Sequence, residues 1–150
     1  MSEAHEAIRQ VKARYCRGVD TGDGALVRSI LAEDCVLDYT GCFADPATRT
    51  DYFPALGIVL RCRNAWSDEG LGAHGIVSVH HGHTCDIDIT GEATAAAIWA
   101  MSDQLFMPAG APFARLRGWG HYHETYERVG GVWLLKTLKL NRLRVEAVAA

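Results

Sequence analysis

The half of the chain that follows Gly75 consists of four long segments typical of β-strands, separated by turns and one short loop. The segments cover 76–89, 93–105, 113–128 and 132–145, and each stretch between them contains glycine or proline, which favour turns. Consecutive strands joined in this way pair in the antiparallel sense. The sequence therefore predicts a meander of long antiparallel strands, against which the rest of the chain must pack.

The N-terminal part of the chain has a helical period instead. Its apolar residues recur at spacings of three and four, at Ala4, Ile8, Val11, Tyr15 and Val19. This pattern predicts an amphipathic helix that Ser2 caps and that ends near Asp20. Asp23 is placed to cap a second helix that runs to Leu31, and a short strand over 35–39 follows it.

The segment between the helices and the meander is less regular. A loop over 41–49 precedes a predicted third helix over 50–60, which accommodates Pro54 only in its first turn. A connection over 63–75 follows, rich in charged residues and glycine, and it contains Trp66. A large aromatic side chain normally covers other groups. We expect Trp66 either to close a pocket as a lid or to pack onto the core.

Helices at the front and a meander behind them predict an α+β fold, in one domain over residues 1–150. The N-terminal helices are expected to pack in the concave face of a curved mixed, mostly antiparallel sheet, as an α+β cone with an interior. In the segment 93–101 the residues that would point to either face of a strand are mostly apolar, which predicts that both faces are covered. We expect a second copy of the chain to cover the outer face, in a homodimer or homotrimer formed through the sheet.

Composition and charge exclude several classes of protein. The net charge of −3 provides no basic field for a nucleic acid, and 49% hydrophobic residues fit a globular chain. No apolar run reaches the length of a membrane span, and the first residues do not resemble a signal peptide, so we expect a cytoplasmic protein without a membrane partner. The five cysteines form no C-x-x-C pair, which argues against a disulfide framework or a thiolate zinc site.

Five of the seven histidines lie in two of the predicted strands. They are His80, His81, His83, His121 and His123. Because residues two apart on a strand share a face, His121 and His123 project together with Trp119. The same rule places His81 and His83 on one face and His80 on the other, although a bulge at Gly82 would shift this register. The clustering predicts a functional site on the sheet.

Two chemistries use such clusters. In the first, His121, His123 and Glu127 hold a metal ion, a spacing that superficially resembles the ligand pattern of cupins. The flanking glycines of cupins are absent and the N-terminal helices do not suit that fold. In the second, one neutral imidazole acts as a general base, and a carboxylate holds its tautomer. The best-placed carboxylate is Asp20, at the end of the first helix, and this chemistry needs no metal or cofactor.

Three segments carry a resemblance to a known family. The segments 8–23, 79–83 and 120–133 resemble the SnoaL-like branch of the nuclear-transport-factor-like superfamily, and the order of elements agrees along nearly the whole chain. That branch includes scytalone dehydratase, bile acid 7α-dehydratase and hexachlorocyclohexane dehydrochlorinase. The resemblance implies the cone-shaped α+β fold and oligomerisation through the sheet.

The resemblance also implies the identity of the catalytic residues. In these enzymes an Asp just after the first helix pairs with a His on the first long strand, which places the pair on Asp20 and His80. A Tyr five residues before the Asp in the bile acid dehydratase falls on Tyr15. Five helical residues rotate by about 500°, so the side chains of Tyr15 and Asp20 reach one cavity only if the helix ends before Asp20. The second His of scytalone dehydratase has no counterpart in the segment 98–101.

The sequence thus predicts a cofactor-free lyase or isomerase acting on a small hydrophobic cyclic substrate. His80, oriented by Asp20, would remove a carbon-bound proton, while Tyr15, His121 or His123 would assist the oxyanion or the leaving group. The residues expected to line the substrate site are Tyr39, Trp66, Trp99, Met101, Phe113, Trp119, His121 and His123. The alternative is a non-catalytic module that binds a hydrophobic ligand, or a small structural subunit of an aromatic-ring oxygenase. The substrate, and the choice among elimination, isomerisation and cyclisation, stay open.

Overall fold

A computed structural model describes residues 2–150, which form two N-terminal helices and one curved six-stranded sheet. The elements are α1 (Glu3–Asp20), α2 (Gly24–Ser29), β1 (Leu31–Asp38), β2 (Val59–Arg61), β3 (Val77–Ile89), β4 (Thr94–Phe106), β5 (Phe113–Val129) and β6 (Val132–Ala149). The strand order is β2-β1-β6-β5-β4-β3. Strands β1 and β6 are parallel, and all other neighbours are antiparallel. The predicted α+β cone with a mixed, mostly antiparallel sheet is confirmed.

Both predicted helix starts are confirmed. The Ser2 side chain accepts a hydrogen bond from the backbone N–H of His5, and the Asp23 side chain accepts one from the backbone N–H of Leu26. Such caps satisfy donors that the first turn of a helix leaves unpaired. Helix α1 ends at Asp20, as predicted, whereas α2 ends at Ser29 because the chain enters β1 earlier than expected.

The long strands bury alternate residues on the face that α1 covers. On β4 the buried positions are Ala95, Ala97, Trp99, Met101, Asp103 and Leu105, and on β5 they include Leu116, Tyr122 and Tyr126. Helix α1 contacts β3 and β6, and its own buried face includes Ile8, Val11 and Tyr15. Helix and sheet therefore share one apolar core. The predicted bulge in β3 is also present, since its pairing with β4 shifts register between Gly82 and Cys85.

The predicted third helix over 50–60 is wrong. This segment contains only a 3₁₀ turn at Pro54–Leu56, followed by β2, which pairs with β1. Pro54 suits only the first turn of a helix, and the β-branched pair Ile58 and Val59 favours an extended backbone, so the segment cannot sustain a helical run. The connection before β3 contains two further 3₁₀ turns, at Arg63–Ala65 and Gly70–His74.

The outer face of β4 leaves large apolar side chains in solvent. Ile98 is 42% exposed and Phe106 is 40% exposed. The prediction that a second copy covers this face stays a prediction, which the mass of the protein in solution would test. All five cysteines lie within residues 2–150 and are free thiols, and Cys62 is exposed. No helix in the described part of the chain has the length and hydropathy needed to cross a membrane.

Candidate active site

Asp20, the last residue of α1, holds His80 of β3 through its carboxylate. Asp20 Oδ1 lies 2.6 Å from His80 Nδ1, and Asp20 Oδ2 accepts a hydrogen bond from the His80 backbone N–H at 2.9 Å. The Ser78 hydroxyl also donates to Asp20 Oδ1, at 2.9 Å. Because an ionised carboxylate only accepts hydrogen bonds, the neutral imidazole carries its proton on Nδ1 and leaves a lone pair on Nε2.

The free ring nitrogen of His80 points towards a second carboxylate. His80 Nε2 is 3.7 Å from Asp103 Oδ2 on β4, which is too long for a hydrogen bond. The side chain of His80 is only 8% exposed, and it forms part of the wall of an internal cavity. Nε2 is therefore available to a molecule in that cavity, with a negative charge nearby to stabilise an imidazolium.

Asp103 is itself held by Arg142 of β6. Two parallel hydrogen bonds of 2.8 and 2.9 Å join the guanidinium to the carboxylate, and both side chains are 2% exposed. Arg142 also donates to the Cys42 carbonyl, and its guanidinium lies 4.9 Å from the ring centroid of Phe43. Burial opposes the charged form of Arg142, but the neighbouring Asp103 raises its pKa above the ordinary value. The cavity wall thus contains a buried carboxylate–guanidinium pair in a fixed position.

The cavity has a volume of about 300 Å³ and a mostly apolar lining. Apolar side chains from α1, β1–β2 and the sheet line it, among them Val19, Phe43, Leu56, Leu60 and Leu105. The polar residues of the wall include His80, Asp103 and Arg142. An apolar pocket with a few convergent polar groups is the usual form of a small-molecule site.

Two tyrosine hydroxyls meet at the cavity. Tyr15 of α1 and Tyr39, just after β1, place their hydroxyl oxygens 2.5 Å apart. Burial raises the pKa of both hydroxyls above the ordinary value, so both stay protonated near neutral pH. One proton of the pair forms the mutual hydrogen bond, and the other remains available to a ligand.

Trp66 covers the same region of the cavity. Its ring packs against Tyr15 and Tyr39, with centroids 6.2 and 6.3 Å apart, and it lines the cavity. The Trp66 carbonyl accepts a hydrogen bond of 2.9 Å from Arg28, which fastens this segment to α2. Trp66 meets both expectations, since it lines the pocket and also packs against the core.

The structure brings together part of the predicted site. His80, Tyr15, Tyr39 and Trp66 line the cavity, and Asp20 lies behind His80. Helix α1 includes Asp20, so the condition that the helix must end before it is not met. Tyr15 lines the cavity and Asp20 does not, in agreement with their different directions on the helix, and Asp20 reaches the cavity only through the ring of His80.

Six other predicted site residues do not line this cavity, contrary to the prediction. His121, His123 and Trp119 belong to the outer face of β5, because the alternate set, which includes Tyr122, points inward. Among residues 2–150, no three His, Cys, Asp or Glu side chains are grouped so as to hold a metal ion. Glu127, the third residue of the alternative metal pattern, pairs with Lys136 at 3.5 Å.

The remaining three are packed rather than placed at the cavity. The Trp99 indole donates to the Tyr126 hydroxyl at 3.1 Å in the core, and the Met101 sulfur accepts from Arg142 at 3.4 Å behind the wall. Phe113 packs on Tyr52, with ring centroids 6.2 Å apart. These aromatic and sulfur side chains fill space, which is their commonest role.

Sequence reasoning missed Asp103, Arg142 and Tyr122, which all line the cavity. A signal was present for Asp103, since it shares the inward alternation of β4 with Met101 and Leu105, where a carboxylate needs a partner. Nothing in the sequence pointed to Arg142 as that partner, because 39 positions separate the two residues. A second buried pair, Lys12 and Glu124, was also missed.

Comparison with known proteins agrees with this architecture. The SnoaL-like domain family matches residues 1–139 of the chain. The fold is similar to that of a candidate scytalone dehydratase from Novosphingobium aromaticivorans (TM-score 0.76, 19% identity, covering 98% of this chain and 89% of that one). It is also similar to a type 3 hexachlorocyclohexane dehydrochlorinase from Novosphingobium barchaimii (TM-score 0.76, 15% identity, coverage 98% and 91%).

A third similar structure is a candidate aromatic ring hydroxylase from N. aromaticivorans (TM-score 0.75, 15% identity, coverage 97% and 94%). At these identities the similarities establish the fold alone. The match over 1–139 covers most of the sequence and agrees with the order of helices and strands. The chain belongs to the SnoaL-like domain family.

Proposed function

We propose that this protein is a cofactor-independent lyase or isomerase that removes a carbon-bound proton from a small hydrophobic cyclic substrate. One observation carries the proposal: the Asp20 carboxylate lies 2.6 Å from His80 Nδ1, and the His80 ring lines an apolar cavity. A general base needs a lone pair within reach of the substrate and a partner that fixes its tautomer. His80 is the base, and Asp20 is its positioning residue.

The proposed reaction starts with proton transfer from carbon to His80 Nε2. The electron pair of the broken C–H bond moves into an adjacent carbonyl and forms an enolate. In an elimination, the enolate electrons re-form the carbonyl and a new C=C bond, and hydroxide leaves the β-carbon. That hydroxide takes the proton from the imidazolium, so that water is released and neutral His80 is restored. In an isomerisation, the imidazolium returns the proton to a different carbon.

Two sets of side chains stabilise the charges that form during the proposed reaction. The imidazolium lies between the carboxylates of Asp20 and Asp103, which stabilise its positive charge. The remaining proton of the Tyr15–Tyr39 pair can donate to the developing oxyanion, because both hydroxyls stay protonated. Both groups are fixed before the substrate binds, so little reorganisation accompanies the reaction.

The cavity limits the substrate class. About 300 Å³ with a mostly apolar lining suits a compact substrate of one or two rings, and the few polar groups of the wall suit a substrate with few polar groups. A ring that bears a carbonyl and a β-hydroxyl, or an enolisable carbonyl alone, meets both requirements. The similar dehydratase and dehydrochlorinase structures are named for eliminations, which supports the proposal by analogy.

The test is water elimination from cyclic β-hydroxyketones such as 3-hydroxycyclohexanone, followed by the ultraviolet absorbance of the enone product. Deuterium incorporation at the α-carbon in heavy water reports the proton transfer separately. His80→Ala and Asp20→Asn should each lower the rate by about 10²–10⁴-fold, the usual contribution of a general base. His81→Ala and Asp88→Asn, which change exposed residues of the same strand, are matched controls and should keep the wild-type rate. A near-wild-type rate in His80→Ala would refute the proposal.

The second candidate function is a non-catalytic module, either a carrier of a hydrophobic ligand or a small subunit of an aromatic-ring oxygenase. The similar fold of the candidate ring hydroxylase is the observation that favours it. A structural subunit has no need of a His–Asp pair on the cavity wall, so the pair favours the enzyme. Copurification of a large oxygenase subunit, together with no turnover of any cyclic ketone, would support the module.

A further inference from the structure

Tyr122 differs from the other buried tyrosines because its hydroxyl has no hydrogen-bond partner among residues 2–150. Tyr15 shares a hydrogen bond with Tyr39, and Tyr126 donates to Glu124 and accepts from Trp99. Tyr122 is 1% exposed, yet its hydroxyl makes no hydrogen bond with any of residues 2–150. A buried tyrosine hydroxyl normally has a hydrogen-bond partner, and no described residue supplies one for Tyr122.

The Tyr122 hydroxyl is open to the cavity. No fully enclosed polar side-chain atom in the described part of the chain lacks a hydrogen bond, so open space must reach the Tyr122 oxygen. Tyr122 lines the cavity on the same wall as His80, Asp103 and Arg142. Burial, and next the charge of Asp103, raise the pKa of Tyr122. The hydroxyl therefore stays protonated and can donate to an oxygen.

The ring of Tyr122 is held from behind. The Lys12 ammonium lies 3.4 Å from the centroid of the Tyr122 ring, and Glu124 fixes that ammonium by a buried ion pair. Tyr15 packs edge-on against the same ring, with centroids 6.0 Å apart and planes at 81°. A cation–π contact and an edge contact on a fully buried ring leave it little freedom to turn. The hydroxyl is thus preorganised in the cavity.

We propose that Tyr122 is a substrate-binding residue whose hydroxyl donates a hydrogen bond to an oxygen of the substrate. This proposal depends on the proposed function in one respect, namely that the substrate binds in the cavity. Tyr122 on β5 and His80 on β3 both line the cavity from the sheet, so the substrate oxygen faces the sheet that also carries the general base. The substrate class is accordingly narrowed to rings that present an oxygen acceptor, such as a cyclic ketone, to this wall.

The test compares two bicyclic probes of almost equal shape, 1-indanone, which has a carbonyl acceptor, and indane, which has none. Binding to wild-type protein and to Tyr122→Phe is measured by ligand-observed NMR. Losing one neutral hydrogen bond should weaken 1-indanone binding about three- to tenfold, and indane binding should stay unchanged. Tyr52→Phe removes a hydroxyl outside the cavity and should leave both affinities at the wild-type value.

Three outcomes would overturn the proposal. The first is equal weakening of both probes in Tyr122→Phe, which would indicate a change of cavity shape. The second is unchanged binding of 1-indanone to Tyr122→Phe. The third is the absence of saturable 1-indanone binding to the wild-type protein. The experiment needs no turnover, so its result is separate from the proposed reaction. Selective weakening of 1-indanone together with full turnover in His80→Ala would uphold the role of Tyr122 and reject His80 as the base.

Discussion

Asp103 and Arg142 pair across a strand that separates them. Asp103 lies on β4 and Arg142 on β6, and their side chains meet over β5, at Gly118. A Cβ at position 118 would lie 2.2 Å from Arg142 Nη1 and 2.7 Å from Asp103 Oδ1. The missing side chain of Gly118 is therefore what permits the ion pair, and the glycine in the middle of a long strand has a specific structural reason.

Gly118→Ala should displace this pair. The added methyl group overlaps the guanidinium and the carboxylate, and overpacking of this kind costs about 1–3 kcal/mol of stability. The variant should also lose activity, since Asp103 would no longer be held near His80 Nε2. Urea denaturation and the elimination assay measure the two effects. Gly72→Ala, where a Cβ meets nothing closer than 3.9 Å, is the matched control and should change neither.

The buried ion pair of Lys12 and Glu124 allows a second prediction. Both side chains are almost fully buried, so Lys12→Met leaves the Glu124 carboxylate without a cation and should destabilise the protein by about 3–5 kcal/mol. The double variant Lys12→Met/Glu124→Gln removes both charges and should be more stable than Lys12→Met alone. Urea denaturation of the two single variants and the double variant gives the coupling energy. Additive losses would show that the two residues act independently.

Regular elements of the fold were predictable because they follow from local sequence. The spacing of Ile8, Val11 and Tyr15 defined α1, and glycine or proline between apolar runs defined the four long strands. The prediction of a third helix failed because the apolar residues over 50–60 follow no single period. The pairing of β2 with β1 determines the structure at the end of this segment.

The candidate site was predictable only in part, for a related reason. Asp20 and His80 were reached through a resemblance, and their contact depends on the packing of α1 against β3. Alternation along β5 correctly separated His121 from Tyr122 but did not say which set faces inward. Which set faces inward depends on where α1 packs. The histidines were assigned to the substrate site, but they lie on the outer face. Partners such as Arg142 come from distant strands and leave no local pattern.

Thiol reactivity provides a third prediction. Burial raises the pKa of Cys16 to about 11 and that of Cys42 to about 12, so both thiols stay protonated and unreactive near neutral pH. Cys62 is exposed and should react first with a disulfide reagent. Mass spectrometry of the partly labelled native protein, with Cys62→Ser as control, checks the order. Labelling of Cys16 or Cys42 ahead of Cys62 would contradict the packing of α1 or of the cavity wall.

Alkaline unfolding is the last prediction, and it rests on the four tyrosines Tyr15, Tyr39, Tyr122 and Tyr126. Burial raises the pKa of each above the ordinary value in the folded protein. A group whose pKa is higher in the folded than in the unfolded state binds more protons when folded, so its contribution is fully present below the unfolded value, about 10. Stability should fall as the pH rises above that value.

The expected signature is coincidence of two transitions. Because these phenols ionise readily only when water reaches them, the rise in phenolate absorbance and the loss of far-ultraviolet circular dichroism should share one midpoint above about pH 10. Tyr122→Phe removes one buried phenol without adding a charge, so it should reduce the phenolate amplitude of that transition. Ionisation of all four phenols in protein that keeps its circular dichroism would contradict the buried positions of these side chains.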